Sequence, residues 1–419
     1  MGKHLIFGGV DVIGLAERFG TPLYVTDEQR LRENFRRFRD AFSSVASEIY
    51  YAVKANWNLA VLRILAQEGA GADVFSGGEL YLARLAGIPA SKILFNGNSK
   101  SDEELELAAL SGVKVSVDSF DELYALSEVA RSLGKTVEIA MRVNPDISPE
   151  THPKIATGLK ESKFGIPYEE VLDAYKEAKK LEATGSVRVK GIHCHIGSQI
   201  LDVSIFRETT EKMIALVEAL SERGIELEFV DLGGGLGIPY KKDEPAPTPE
   251  DLAAQILPAF KSAKLRRLPK LILEPGRYIV GNTTILVARV NAVKKAARRF
   301  VAIDAGFNLL IRPVLYDAYH EVVVANKMDE PPAETYTVVG PICESGDIIA
   351  KDRTLPEVKR GDIIAIFNAG AYGFAMSSQY NGRPRCAEIL VNAGKAEVIR
   401  RKESFDELLR NQVLPARLL

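Results

Sequence analysis

The sequence has few cysteines, no long apolar run and almost no net charge, and each shortage excludes a class of protein. Its three cysteines, Cys194, Cys343 and Cys386, are too few and too scattered for a disulfide framework, which favours a reducing, cytoplasmic compartment. No run of about 18 uncharged apolar residues occurs, so no membrane-spanning helix is predicted. Because Lys+Arg 54 nearly balance Asp+Glu 56, neither nucleic acid nor an anionic membrane is an expected partner.

The chain of 419 residues instead shows a regular alternation of strand-like and helical patterns between about residues 45 and 275. Eight short β-branched or aliphatic runs occur, at 49–53, 72–75, 92–95, 113–117, 136–143, 187–194, 226–231 and 270–273. Helical patterns such as LAVLRILAQ and GGELYLARLA separate them. Eight strands alternating with helices predict a (β/α)8 TIM-type barrel, with an open doubly wound parallel sheet as the competing architecture.

Polar residues and glycines stand where these runs end. They are Lys54, Asp73, Arg142, His195, Gly233 to Gly235 and Glu274. In a βα barrel the carboxyl ends of the strands form one rim, and active sites lie there. We therefore expect these residues to lie around one barrel mouth.

After residue 275 the pattern changes to β-like runs without long intervening helices, such as TTILVARVNAV and GDIIAIF. This predicts a C-terminal antiparallel β domain. The opening runs LIFGG and TPLYV add a strand to that domain in this interpretation. The predicted domains are thus a barrel at 28–272 and a β-sandwich or β-barrel domain made of 1–27 and 273–419. The proline-rich stretch 239–249 is predicted to be an exposed loop.

Lys54 is the residue with the most specific chemistry. A lysine at the end of an apolar strand is partly desolvated, which favours the neutral amine that can attack a carbonyl and hold an aldehyde cofactor as a Schiff base. The strings GGGLG at 233–237 and EPGR at 274–277 follow the seventh and eighth runs, where barrels bind phosphate through backbone amides. Together they predict a phosphorylated aldehyde cofactor.

The chain resembles the fold-type III pyridoxal-phosphate decarboxylases. The resemblance rests on YAVKAN around Lys54, GADVFSGGE at 71–79, HPKIATGLKESKFG at 152–165, HCHIGSQ at 193–199, GGGLG, EPGR, LIRPVLYDAYH at 310–320, GPICESGD at 340–347 and GAYGFAMSSQYN at 370–381. One departure is Phe307 and Leu309, where the family pattern has Met and Asp, although Arg312 is retained.

The resemblance implies pyridoxal 5'-phosphate as the cofactor and assigns residues to it. Lys54 is implied to bind the cofactor covalently, Glu274 to meet its ring nitrogen and His195 to lie against its ring. Ser198, Gly235 and Gly276 are implied to surround the phosphate group, with Tyr372 closing it, and Gly233, Gly234 and Arg277 are implied to bind the cofactor. Asp73 is implied to bind or support the cofactor, and Arg142 to support it.

The implied reaction is decarboxylation of meso-2,6-diaminopimelate to L-lysine. The substrate has an amine and a carboxylate at each end, so its distal groups would need charged partners. The implied partners are Arg277, Arg312, Tyr316, Glu344 and Tyr372. The alternative is a related decarboxylase for ornithine, arginine or carboxynorspermidine. The resemblance also implies a homodimer in which Cys343, as catalytic acid, and Glu344 enter the partner's site.

Three other functions compete with this one. A metal-dependent hydrolase is the first, because His193 and His195 point to one face of a strand, but no other histidine has matching spacing. A pyridoxal-phosphate carrier without catalysis is the second, and it leaves the CESGD and GAYGF segments unexplained. The third, a relative of alanine racemase, would place an arginine where this chain has Glu274. No metal is expected.

Overall fold

A computed structural model describes residues 3–147, 162–241 and 243–418. Most of the family-like segment at 152–165 therefore lies outside the described residues. By spatial contact the chain divides into two compact units. The barrel unit comprises Arg32–Pro239 and Pro245–Ile279, and the β unit comprises Met1–Leu31, Tyr240–Glu244 and Val280–Leu419. The predicted domain boundaries, a barrel at 28–272 and a β domain at 1–27 and 273–419, remain a prediction.

The strands of the described residues are numbered in chain order. They are β1 (Ile6–Phe7), β2 (Val10–Asp11), β3 (Leu23–Asp27), β4 (Ser47–Ala52), β5 (Gly71–Val74), β6 (Ile93–Phe95), β7 (Lys114–Val117), β8 (Val137–Asn144), β9 (Ile166–Pro167), β10 (Val187–Cys194), β11 (Phe229–Asp231), β12 (Lys270–Leu273), β13 (Thr284–Lys295), β14 (Arg299–Ile303), β15 (Val322–Val324), β16 (Glu334–Val339), β17 (Ile348–Leu355), β18 (Ile363–Ile366), β19 (Ala387–Asn392) and β20 (Lys395–Arg400).

The α-helices of the same residues are α1 (Val12–Phe19), α2 (Glu28–Ala41), α3 (Leu59–Gln67), α4 (Gly77–Leu85), α5 (Asp102–Ser111), α6 (Phe120–Ser132), α7 (Val171–Glu182), α8 (Ile205–Ser221), α9 (Pro249–Lys261), α10 (Arg277–Val280), α11 (Arg312–Tyr316) and α12 (Phe405–Leu409). No helix among these residues is long and apolar enough to cross a bilayer.

The barrel unit is a closed parallel barrel. Strands β4 to β8 pair in sequence, β8 pairs with β10, and β10, β11 and β12 follow. Closure comes from β12, whose Leu271 pairs in parallel register with Ser47 of β4. An open doubly wound sheet would leave these two strands as edges, so the predicted barrel is confirmed. Each of the eight predicted runs overlaps one barrel strand.

Two glycines on barrel strands make room for aromatic rings in the interior. A Cβ on Gly71 would lie 2.4 Å from the ring of Tyr50, and one on Gly191 would lie 2.4 Å from the ring of Phe229. Tyr50 and Phe229 belong to one buried cluster with Leu94, Ala140 and Ile272. The glycines are therefore required by packing, because any larger residue would displace a ring from the core.

The helices begin where side chains satisfy free backbone N–H groups. Asn58 caps α3 by accepting from the Ala60 N–H, and Ser76 caps α4 by accepting from the Glu79 N–H. Ser101 forms a capping box with Glu104 at the start of α5. Such caps contribute about 1 kcal/mol each. They also determine the residue at which each of these strand-to-helix loops ends and its helix begins.

The β unit contains a mixed sheet, with strands in the order β17-β16-β14-β13-β3-β19-β20 and β18 paired with β13. Strand β3, from the start of the chain, is buried along its whole length and lies between β13 and β19. The predicted contribution of the opening segment is confirmed. The sheet is not purely antiparallel, since β3–β19 and β14–β16 are parallel pairs.

The proline-rich stretch differs in part from its prediction. Tyr240 is buried with 7% exposure, although the neighbouring Lys241 and Asp243 are exposed. An aromatic side chain can pack into the core while its backbone stays in a loop, because burial of its large apolar surface is favourable.

Candidate active site

Lys54 stands in a single 3-10 turn, Val53–Ala55, directly after β4. Its Nζ lies 3.2 Å from Asp73 Oδ2 and 4.8 Å from the centre of the Phe75 ring. The Lys54 side chain is 34% exposed, whereas that of Asp73 is 1% exposed. Asp73 and Phe75 therefore border the Lys54 amine on one side, and its other side is accessible.

Asn96 joins two carboxyl groups below this lysine. Its Nδ2 donates to Asp73 Oδ1 at 2.6 Å and to Glu274 Oε1 at 2.8 Å. Asn96 directly follows β6, and Glu274 directly follows β12. Burial and the negative charge of Glu274 raise the pKa of Asp73, and Lys54 opposes the shift.

Glu274 is buried at this rim, with 3% side-chain exposure. Its Oε2 lies 3.2 Å from His193 Nε2, and His193 Nδ1 lies 2.8 Å from Ser116 Oγ. Burial alone would raise the pKa of Glu274, but the neighbouring His193 and Lys54 outweigh burial and hold the pKa at about 2. Glu274 is thus a buried carboxylate anion at neutral pH.

His195 follows β10 and contacts the glycine-rich loop. Its Nδ1 accepts a hydrogen bond from the Gly234 N–H at 3.2 Å, so the proton of the neutral ring is on Nε2. Burial, together with the positive charges of Lys54 and Arg142, holds the pKa of His195 well below its usual value. The ring is therefore neutral at physiological pH and presents a flat, uncharged face.

The loops after β10, β11 and β12 approach so closely that only glycine fits between them. A Cβ on Gly234 would lie 2.1 Å from the Glu274 carbonyl oxygen, and one on Gly235 would lie 2.8 Å from the Gly197 carbonyl oxygen. Gly233 and Gly235 also have positive φ values of 69° and 126°. Gly276 packs against Ala52 and Ala55 on either side of Lys54. The glycines of GGGLG and EPGR therefore form a cradle in which the backbones of neighbouring loops approach closely.

Ser198 and Arg277 meet at the edge of this cradle. The Arg277 Nε and Nη2 atoms lie 3.3 and 3.0 Å from Ser198 Oγ, and both donate to it. The next residue, Gln199, fixes the two loops together by donating to the Ile238 carbonyl at 2.7 Å. The contact places the Arg277 guanidinium on the side of the residues predicted to bind phosphate.

Arg142 is held beneath the rim rather than at it. Its side chain is 3% exposed, its Nε lies 3.9 Å from Asp118 Oδ1, and its guanidinium stacks on Phe164 at 4.4 Å. Burial lowers the pKa of Arg142, and Asp118 opposes that shift. Asp118 in turn accepts from the Gly165 N–H at 3.1 Å. The supporting role of Arg142 stays a prediction.

The other predicted substrate residues belong to the β unit. Arg312 begins α11 and is 5% exposed; its Nη1 lies 2.9 Å from His320 Nε2, and its guanidinium stacks on Tyr240 at 4.6 Å. His320 Nδ1 lies 2.8 Å from the Phe367 carbonyl oxygen and must donate to it, so Nε2 is the acceptor for Arg312. Tyr316 ends the same helix and is half-buried.

Tyr372 has a backbone conformation that side chains rarely adopt, with a φ of 59°. The backbone around it is closely packed, since a Cβ on Gly370 would lie 1.9 Å from the Val280 carbonyl oxygen and one on Gly373 would lie 2.2 Å from the Ala369 carbonyl oxygen. A non-glycine residue held at positive φ costs about 1–3 kcal/mol and is commonly part of a functional site.

Cys343 and Glu344 are both exposed on a loop that Asp347 organises. Asp347 accepts from the Ile342 N–H at 2.8 Å and from the Phe307 N–H at 2.7 Å. Glu344 Oε1 accepts from the Tyr380 hydroxyl at 2.8 Å, and the Cys343 N–H donates to Asn381 at 2.8 Å. An exposed thiol on an ordered loop is unusual for cysteine, which is among the most buried residue types.

His193 and His195, the two histidines behind the hydrolase hypothesis, have different contacts. His193 faces Glu274 and Asp231, whose potential ligand atoms lie within 4.8 Å of one another, whereas His195 is engaged with Gly234. No group of three ligand residues among those the structure describes contains both histidines.

Four residues that lie next to predicted site residues had no predicted role: Asn96, Ser116, Asp231 and His320. Asn96 stands directly after a strand and Asp231 at the end of one, so the rule that identified Lys54 and Glu274 also applied to them. Ser116 lies inside β7, and neither a motif nor a strand end marked it in the sequence. His320 was visible only as the last residue of a family-like string.

The barrel rim fits a phosphorylated aldehyde with a basic ring nitrogen. A lysine amine supplies the covalent partner, a buried carboxylate supplies an anion, and a cradle in which a Cβ would clash leaves backbone amides accessible. A neutral imidazole completes the set. These are the complements that the aldehyde, nitrogen, phosphate and ring of pyridoxal phosphate require.

Comparison with known proteins gives consistent matches. Residues 28–281 match the family model described as "Pyridoxal-dependent decarboxylase, pyridoxal binding domain". The chain is 59% identical to the diaminopimelate decarboxylase of Archaeoglobus fulgidus, covering 98% of this chain and 97% of the relative. It is 47% identical to that of Methanothermobacter thermautotrophicus, covering 99% and 97%. The M. jannaschii diaminopimelate decarboxylase crystal structure with L-lysine superposes with a TM-score of 0.93 at 43% identity, covering 98% of this chain and 96% of that one.

Proposed function

The chain belongs to the pyridoxal-dependent decarboxylase family, and from that premise we propose that it converts meso-2,6-diaminopimelate to L-lysine and carbon dioxide, the last step of lysine biosynthesis. The relatives that carry this activity in their names match it over nearly their full length. The observation that carries the proposal is Lys54 beside Asp73, which Asn96 links to Glu274, at the rim of a closed barrel.

Pyridoxal phosphate, when bound, supplies an aldehyde for the substrate amine and a ring that accepts the electron pair left by departing carbon dioxide. Lys54 is the residue that holds the cofactor's aldehyde carbon between turnovers. Glu274 stabilises a proton on the ring nitrogen, because a buried anion lowers the energy of a nearby cation. His195 supports the ring with an uncharged face, so it does not compete with Glu274 for that proton.

The phosphate group is assigned to the cradle of Gly233, Gly234, Gly235 and Gly276, with Ser198, Arg277 and Tyr372 around it. Backbone N–H groups bind the oxygens without side-chain interference. Arg277 adds a positive charge, and its two contacts with Ser198 fix the guanidinium plane. Asp73 orients the Lys54 amine.

The distal end of the substrate is assigned to Arg312, Tyr316, Glu344 and Tyr372, with Arg277 as a further candidate. A guanidinium can bind a carboxylate through two parallel hydrogen bonds, and an acid can bind the distal ammonium. His320 and Tyr240 hold the Arg312 guanidinium in one orientation, which lowers the entropy lost on binding. This selects a substrate with a carboxylate at both ends over ornithine.

We also infer a homodimer in which Cys343 and Glu344 act in the partner's site. The exposed position of both side chains on an ordered loop supports this assignment. There the Cys343 thiol would donate a proton to the carbon that has lost its carboxylate. A cytoplasmic location is part of the proposal and rests on the three free cysteines, which a reducing compartment preserves.

Incubating the purified protein with pyridoxal phosphate and meso-diaminopimelate tests the function directly. We expect L-lysine and carbon dioxide in equal amounts, and little reaction with ornithine or arginine. Release of putrescine from ornithine at a comparable kcat/KM would contradict the assignment of substrate.

Replacing Arg312 by alanine is expected to raise the KM for meso-diaminopimelate by about two orders of magnitude, because a buried partner of the distal carboxylate is lost. Steady-state kinetics measures this change. Arg18→Ala is the matched control, since Arg18 also stacks on an aromatic ring at 4.6 Å but is exposed on α1. Thermal unfolding establishes that both variants are folded. An unchanged KM in folded Arg312→Ala would refute the role of this arginine.

A further inference from the structure

Three carboxyl groups are buried together in the barrel unit: Asp73, Asp231 and Glu274, each with no more than 4% exposure. Like charges in a low-dielectric interior repel strongly, so three adjacent anions would need several nearby cations. Lys54 contacts Asp73, and Arg142 is engaged with Asp118. The three carboxyl groups are therefore expected to differ in their protonation states.

Glu274 has partners on both oxygens. Asn96 donates to Oε1, and His193 Nε2 lies 3.2 Å from Oε2. The other nitrogen of His193 is fixed by Ser116 at 2.8 Å, and the His193 side chain is 1% exposed. A proton on Nε2 is the arrangement that satisfies both contacts, with the Ser116 hydroxyl donating to Nδ1. These contacts stabilise the ionised form of Glu274.

Asp231 has the opposite environment. Its Oδ1 accepts from the Gly233 N–H at 2.8 Å, but its buried Oδ2 has no hydrogen-bond partner in the described protein. Potential ligand atoms of Asp231, Glu274 and His193 lie within 4.8 Å of one another. An ionised Oδ2 there would be an unsatisfied buried charge facing another anion, whereas a protonated one can donate toward Glu274.

The direction of the pKa shifts agrees with this geometry. Burial and the charge of Glu274 raise the pKa of Asp231 well above its usual value, while the pKa of Glu274 is held at about 2. The pair therefore shares one proton, and that proton belongs on Asp231.

We propose that Asp231 is a neutral hydrogen-bond donor and that His193 is a fixed partner, and that both are positioning residues which keep Glu274 the ionised carboxylate available to the cofactor's ring nitrogen. This inference rests on the proposed function, because it concerns the same bound cofactor. The other titratable and charged groups that act on the pair are Tyr50, Lys54, Asp73, Arg142, Cys194 and His195.

The test compares Asp231→Ala with Asp231→Asn in apoprotein titrated with pyridoxal phosphate and followed by absorbance. Asparagine is neutral, has the same shape and keeps an acceptor for the Gly233 N–H. We expect the alanine variant to raise the dissociation constant about tenfold or more, and the asparagine variant to restore it to within about threefold of the wild type. Glu274→Gln serves as the comparator with no anion and is expected to weaken binding at least as much as Asp231→Ala.

His193→Gln and His193→Leu test the second half of the inference through the pH dependence of cofactor binding. Since His193 lowers the pKa of Glu274, its loss raises that pKa, and affinity should begin to fall at a higher pH on acidification. Circular dichroism confirms that each variant is folded, and the glutamine variant serves if the leucine variant does not fold.

The outcomes are distinct. Failure of the wild-type protein to bind pyridoxal phosphate would overturn the proposed function itself. Wild-type binding combined with an Asp231→Asn variant as defective as Asp231→Ala would overturn only the neutral state of Asp231. An unchanged acid limb in a folded His193 variant would overturn the role of His193.

Discussion

A Lys54→Ala variant is expected to lose about four orders of magnitude or more in kcat for meso-diaminopimelate, the largest effect of any single substitution in this chain. Lys54 is the single lysine that pairs with Asp73 at the barrel rim among the residues described, and its Nζ has an accessible side. Alanine removes the covalent partner of the cofactor without adding bulk. Production of L-lysine measures the loss.

Borohydride reduction of the loaded protein gives a second measurement on Lys54. Reduction should fix the cofactor permanently, and peptide mapping should locate it at position 54 in the wild type and nowhere in the variant. Lys92→Ala is the control, because the Lys92 Nζ donates to the Gly69 carbonyl at 3.2 Å and is not assigned to the site. A fixed cofactor at any other lysine, or full activity in Lys54→Ala, would contradict the assignment of the site.

Mixing two inactive variants is expected to restore activity from background to about a quarter of the wild-type level, if the chain forms dimers with shared sites. The variants are Lys54→Ala and Cys343→Ala. In a mixed dimer one site lacks both groups and the other has both, so half of its sites work. Random exchange makes half of all dimers mixed.

The measurement is lysine production by the exchanged mixture; mixed dimers purified from it by two different affinity tags should reach about half of the wild-type level, because one of their two sites is intact. Each variant alone, treated in the same way, provides the background. A Cys386→Ala chain is the matched control for cysteine removal, since Cys386 is buried in the β unit and is not assigned to catalysis. Mixed dimers that form but remain inactive would show that Cys343 acts within its own subunit, whereas full activity of Cys343→Ala alone would show that this thiol is not needed.

The barrel and its lysine could be predicted because the signals for them are local. Each βα unit repeats a pattern of burial within about 30 residues, and the run before Lys54 is readable from its immediate neighbours. The glycine-rich string after β11 was readable for the same reason, since the φ values of Gly233 and Gly235 are properties of the backbone there. The resemblance to a decarboxylase family likewise rests on short contiguous strings.

Closure of the barrel could not be read in this way. It depends on pairing between Leu271 and Ser47, at opposite ends of the unit's sequence. The mixed character of the β sheet has the same origin, because β3 inserts between β13 and β19. A strand's period shows which of its faces is buried but not which strand lies beside it.

The sequence by itself determined the alternation that makes eight parallel strands, the lysine at the first strand end and the family to which the chain belongs. Only the tertiary structure decided which acid is ionised. Asn96 reaches Glu274 across 178 residues, and Ser116 reaches His193 across 77. Charge states in a buried cluster depend on distances between such remote groups, and those distances exist only once the chain has folded.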